Sequence, residues 1–196
     1  MMMAIVSAPV SAHPHAWIDV KTTLILTGRA TVTAVREQWS FDASYSNTLL
    51  KDGSGKWKPL KPFVQTAMRN LAPYGYFMEL HARGARLAIG QAGEAEGEVR
   101  NGSLIMRFTV SLSKPIDISH SDLSFSVYDP SYFIAFEHVK DHPIAFEGPG
   151  ADACTARIRQ AKPSFEALSQ AQAMDRNAPV NPELGKLFAE TVLIHC

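Results

Sequence analysis

The sequence lacks a dominant sign of charge: 19 Lys and Arg balance 19 Asp and Glu over 196 residues. It also lacks any basic stretch longer than a few residues. Nucleic-acid binding needs a basic face, so no nucleic-acid partner is expected. No apolar run approaches the ~20 residues that cross a bilayer as a helix, so stable membrane insertion is not expected. Catalytic signatures are missing as well. There is no Gly-x-Ser-x-Gly, no His-Glu-x-x-His, no phosphate loop and no Gly-x-Gly-x-x-Gly, and the chain reads as a non-enzyme. Internal repeats and interdomain linkers are absent. What is present is 46% hydrophobic content, enough for the core of one domain.

The first twelve residues carry no charged side chain and end in Val10-Ser11-Ala12, the small-residue shape of a signal-peptidase site. They are shorter than the usual ~15–30 residues and lack a basic start. Residues 1–12 are therefore expected to be a truncated signal peptide cleaved after Ala12, with an ordinary apolar first strand as the alternative. A single periplasmic domain, 13–196, follows from that reading. Cys154 and Cys196, the two cysteines, both sit by strand-like runs. In an exported chain they are expected to form one disulfide, with buried free thiols as the alternative.

Residues 13–26 and 30–41 are strand-like around a Gly28-Arg29 turn, which predicts an antiparallel hairpin. Asp42 stands where a helix N-cap belongs, before residues 43–50. Leu60, Phe63, Val64, Ala67, Met68 and Leu71 repeat at helical spacing, with Pro62 in the first turn and Pro73 closing the helix after about three turns. Short β-rich runs follow at 76–82, 85–89, 104–113, 123–128, 133–139 and 144–147. Pro163 opens a last helix carrying Phe165, Leu168 and Met174, then a Pro-containing linker and a final strand. Strands this dense, without a helix between each pair, predict an α+β fold: a β-rich antiparallel sheet or sandwich with two or three short helices.

Chemistry concentrates in His13-Pro14-His15. Cleavage after Ala12 would give His13 a free α-amine beside its own imidazole, and His15 would add a second ring. Imidazoles suit Zn, Ni, Co and Cu. Pro14 has no N–H to lose, which excludes the square-planar amino-terminal copper motif. In an extended strand Asp19 lies roughly 13 Å beyond His15 and cannot share its ion. Asp42 and Asp129 are the better third ligands, although a helix cap and a turn-making Asp explain them more readily. The expected metal set is His13, His15, Asp42 and Asp129. His138 and His142 read as exposed loop histidines, and His81, His120 and His195 as isolated ones. Asp52-Gly53-Ser54-Gly55-Lys56 fails as a calcium loop, since Lys56 and Trp57 fill positions that need an oxygen ligand and a glycine, so no calcium is expected.

Three segments, His13-Pro14-His15-Ala16-Trp17-Ile18-Asp19, Trp39-Ser40-Phe41-Asp42-Ala43-Ser44-Tyr45-Ser46 and Tyr128-Asp129-Pro130-Ser131-Tyr132-Phe133-Ile134-Ala135-Phe136, together resemble one family. It is a domain-of-unknown-function family of proteobacterial periplasmic proteins, labelled the periplasmic component of an uncharacterised ABC-type transport system. The resemblance runs from His13 to Cys196 and includes the two late cysteines. It implies export and association with divalent-metal uptake, with an inner-membrane partner resembling a nickel/cobalt permease or an ABC-type transporter. Relatives carry an acidic calcium-type loop after the second segment, and this sequence departs from them at residues 52–57. The expected function is a periplasmic metal-binding accessory or solute-binding protein for a divalent-metal transport system. A copper histidine-brace oxidase and a metal-independent interaction module are the rivals.

Overall fold

The computed structural model describes residues 14–52, 54–56, 58–173 and 181–196. In chain order the strands are β1 (Ala16–Thr27), β2 (Thr31–Phe41), β3 (Met78–Ala82), β4 (Ala85–Arg86), β5 (Ile89–Ala92), β6 (Glu96–Arg100), β7 (Ser103–Asp117), β8 (Leu123–Val127), β9 (Ile134–His138), β10 (Ile144–Glu147), β11 (Thr155–Arg159) and β12 (Thr191–His195). The helices are α1 (Ala43–Leu50), α2 (Leu60–Leu71), α3 (Phe165–Ala173) and α4 (Leu184–Phe188), and a 3-10 turn, Ala72–Phe77, follows α2.

The period-two pattern of the first strand decides its orientation. Ala16, Ile18 and Val20 are buried while Trp17 and Asp19 face out, so β1 has one core face. Gly28, at φ +61°, makes the turn into β2, which returns antiparallel to β1. The seven-stranded sheet runs β10-β1-β2-β7-β5, with β6 also on β7 and β9 also on β1. The second sheet has five antiparallel strands in the order β11-β12-β8-β3-β4. Trp39, Val35 and Phe108 from the first sheet join Phe125, Leu80 and Val192 from the second in one core. Trp39 is its centre, with the rings of Phe108 and Phe136 edge-on at 4.9 and 5.0 Å.

The α+β sandwich, the hairpin, the Asp42 cap and the α2 helix all stand as the sequence predicts. Four details differ. Strands β9 and β10 lie parallel to β1, end to end along the side that β2 leaves open, and residues 139–143 bridge them. Strand β6, acid-rich and at the sheet margin, has no apolar alternation to betray it. Helix α4 occupies what reads as a linker. On α3 the residues facing inward are Ala167 and Ala171, whereas Phe165 is 85% exposed and Leu168 42%. Met174, expected on that helix, lies outside the described residues.

Cys154 and Cys196 form the expected disulfide. It closes the end of the β11–β12 pair, next to the Thr155–His195 register.

Candidate functional site

The loop at residues 128–133 separates two sites. On one side it meets the start of β1, and there the three motif segments converge. The His15 N–H donates to Phe133 O at 2.9 Å, and the two rings lie 4.9 Å apart. Ala16 pairs with Ile134 and Ile18 with Phe41, so the first segment lies between the other two.

Both acidic residues expected here are present but already engaged. Asp42 caps α1, its Oδ1 accepting the Tyr45 N–H at 2.8 Å, while its Oδ2 accepts the Trp17 N–H at 3.0 Å. Asp129, 7% exposed, accepts the Ser131 N–H and hydroxyl at Oδ1 and the Ile134 N–H at Oδ2. A carboxylate offers about four lone-pair sites. Asp42 commits two and Asp129 three to the chain's own donors, which makes them builders of this corner. Tyr45 feels both: burial raises its pKa, and the negative charges of Asp129 and Asp42 raise it further. His13 lies outside the described residues, as do residues 1–12, where a signal peptide is expected. Among the described residues, no group of three or more His, Cys, Asp or Glu side chains is placed to hold a metal ion.

His138 corrects its sequence reading. It sits on β9 with its side chain 3% exposed, and its Nδ1 lies 2.7 Å from Glu190 Oε2. Burial alone would raise the Glu190 pKa, but the His138 ring, the His138 N–H and the Gln160 amide together hold it below the usual carboxylate range. His142 is exposed on a turn at φ +49°.

On the loop's other side is a cleft of about 790 Å³. At its floor Glu79, on β3, gathers one donor from its own strand and two from other segments. Lys186 Nζ on α4 donates to Oε1 at 2.7 Å, the Tyr128 hydroxyl donates to Oε2 at 2.6 Å, and His81 Nε2 lies 2.9 Å from Oε1. The Arg86 guanidinium of β4 is 3.8 Å from Oε2. Burial alone would raise the Glu79 pKa, yet the bonds from Lys186, Tyr128 and His81 outweigh it and bring it down to about 2. Tyr128 moves the other way: burial and the facing carboxylate push its hydroxyl well above the ordinary tyrosine value.

The cleft walls hold unusual backbone. Gly75 and Phe77, both in the lining, and Tyr76 between them all have φ between +53° and +59°. Bulky residues at positive φ are outliers, and consecutive ones store strain. That backbone drives Tyr76 into the core, where its hydroxyl accepts the Ala92 N–H, and leaves Phe77 between the cleft and Trp39. Helix α4 reaches the loop because residue 185 is glycine: a Cβ there would lie 1.8 Å from Asp129 O. The Gly185 N–H donates to Pro130 O at 2.9 Å, which sets Lys186 over Glu79.

Of this cleft the sequence points only to residues 128–131, with Asp129; Glu79, Arg86 and Lys186 were missed, and His81 reads as isolated. One buried acid was missed that the pattern does reveal. Glu37 stands in phase with Val35, Trp39 and Phe41 on the core face of β2 and is 0% exposed. Burial raises its pKa to about 8, against the opposing pull of the Thr22 hydroxyl at 2.9 Å and of the Trp39 indole N–H.

A curated protein of Haemophilus influenzae, described as an uncharacterised protein, is 24% identical to this chain over 97% of it and 94% of its own length. The family model described as "Protein of unknown function (DUF1007)" matches residues 1–196, and the chain belongs to that family.

Proposed function

We propose that this protein is an exported, periplasmic metal-binding accessory of a divalent-metal transport system, with His13 and His15 as the imidazole ligands. The observation that carries the reading is the convergence of three motif segments on the start of β1, which puts Asp42 and Asp129 around the strand that His15 begins. In this role the two carboxylates shape the corner and set a negative field around the histidines, which favours a cation such as Zn, Ni, Co or Cu. The disulfide suits an oxidising compartment, and so supports export; the small residues Val10-Ser11-Ala12 support cleavage after Ala12. An inner-membrane metal permease or ABC-type transporter would take the ion. Exposed Trp17 and Phe133 beside His15 give that partner an apolar surface.

Equilibrium titration of the exported, processed protein with Zn(II), Ni(II), Co(II) and Cu(II) tests the site. A His13→Ala/His15→Ala double variant is expected to lose at least tenfold in affinity for the preferred ion. Equal affinity in the variant removes the histidines from the site. Intact mass measurement of the same sample reads the cleavage point.

A further inference from the structure

We infer that the cleft over Glu79 is a second binding site, and that its ligand is a small organic monocarboxylate with an apolar body, held by Lys186 and Arg86. This site lies apart from the histidine corner, and the inference does not depend on metal binding.

The argument starts from which groups remain available. Glu79 accepts from Lys186, Tyr128 and His81, so three of its about four lone-pair sites are taken by protein donors. Asp129, also in the wall, has turned its carboxylate into its own loop. The cleft's buried carboxylates are therefore poor ligands for a cation. The donors are in surplus. Lys186 gives Glu79 one of its three N–H bonds and is 51% exposed. Arg86, 64% exposed, lies beyond hydrogen-bond reach of Glu79 at 3.8 Å and keeps its planar fork of donors. Glu79 thus neutralises and orients a cationic pair whose remaining N–H groups border the cleft.

Charge and shape narrow the class. Three carboxylates in the lining, Glu79, Asp129 and Glu183, face two cations, Arg86 and Lys186, so a polyanion gains nothing from the overall field while a single carboxylate can still be gripped locally. Part of the wall is apolar: Tyr74, 63% exposed, with Phe77 and three prolines, Pro73, Pro130 and Pro182. A volume of about 790 Å³ falls within the range of small-molecule pockets. Residues 75–77, with their positive φ, border this cleft, and stored backbone strain often marks a functional site.

The test uses the full chain and three probes in calorimetric titration: benzoate, benzylamine and inorganic phosphate. Benzoate is expected to bind saturably and tighter than either other probe. Arg86→Gln and Lys186→Met are each expected to weaken benzoate at least fivefold, while Arg157→Gln, on β11, leaves it unchanged. Arg86 is exposed and unbonded to Glu79, so its variant keeps the fold even if the Lys186 variant loses stability, and thermal melts check both. Preference for benzylamine, preference for phosphate, absence of saturable benzoate binding, or benzoate binding indifferent to Arg86→Gln would each overturn the assignment.

Discussion

At the residue scale the most consequential side chain is one that nothing on the surface reveals. Glu37 is fully buried on the core face of β2 and holds its proton up to about pH 8, whereas an ordinary glutamate releases it near 4.5. Between those values the folded chain binds a proton that the unfolded chain does not. Stability from this group is therefore complete below about pH 4.5, falls as the pH rises, and levels off above about 8. The slope is about 1 kcal/mol per pH unit. Glu37→Gln keeps the shape and removes the titration, so in urea unfolding the variant should gain on the wild type steadily from pH 5 to pH 8. Parallel stability curves across that range would show that Glu37 ionises freely in the fold. This residue was legible, since alternation with Val35 and Trp39 places it inward. Asp42 was legible too, as an acid just ahead of a helical run. Glu79 was not, because its partners come from β4, the loop after β8 and α4 as well as from its own strand, and sequence spacing carries no trace of that meeting.

At the scale of elements, α4 shows how five residues can decide a site. The helix is too short to have a readable period, and Gly185 looks like a breaker. Yet glycine is what the packing requires, because the helix backbone presses against Asp129 O where no Cβ fits. In Gly185→Ala the helix must shift away from the loop, which should cost roughly 1–3 kcal/mol as an overpacking change. The shift also lengthens the Lys186–Glu79 contact, so the Glu79 pKa should rise from about 2 towards the usual carboxylate range. Carboxyl-carbon NMR titration reads this directly. An unchanged Glu79 titration in a folded Gly185→Ala protein would mean that α4 adjusts without moving Lys186. The longer elements were read correctly for the opposite reason. Helix α2 buries Val64 and Met68 over three turns, and β1 alternates through its first half, so both carry their burial in the sequence. Strand β6, Glu96–Arg100, is held by pairing along β7, a property of its neighbour's edge more than of its own residues.

For the molecule as a whole, the disulfide is the longest-range covalent constraint. It joins Cys154 to Cys196 across 42 positions and encloses α3, α4, β11 and β12. The enclosed stretch contributes two edge-side strands of the five-stranded sheet, Lys186 to the cleft, and Val192 and Ile194 of β12 to the core between the sheets. Loop-closure entropy for that span gives roughly 4 kcal/mol, with about 2–4 kcal/mol as the usual yield. A Cys154→Ser/Cys196→Ser variant should therefore stay folded around β1, β2 and β7 while its melting temperature falls by on the order of 10 °C. The loss should not be uniform. Hydrogen exchange should accelerate most in β11, β12 and α4, and least in β2, because only the enclosed elements lose their tether. A melting temperature unchanged by both the double variant and thiol reductant would show that strand pairing alone holds this end of the sandwich. A uniform rise in exchange would instead make the bridge part of a single cooperative unit. The cleft then follows whichever pattern holds: with local loosening, Lys186 detaches from Glu79 before the core melts, and the Glu79 titration moves while the near-ultraviolet signal of Trp39 does not.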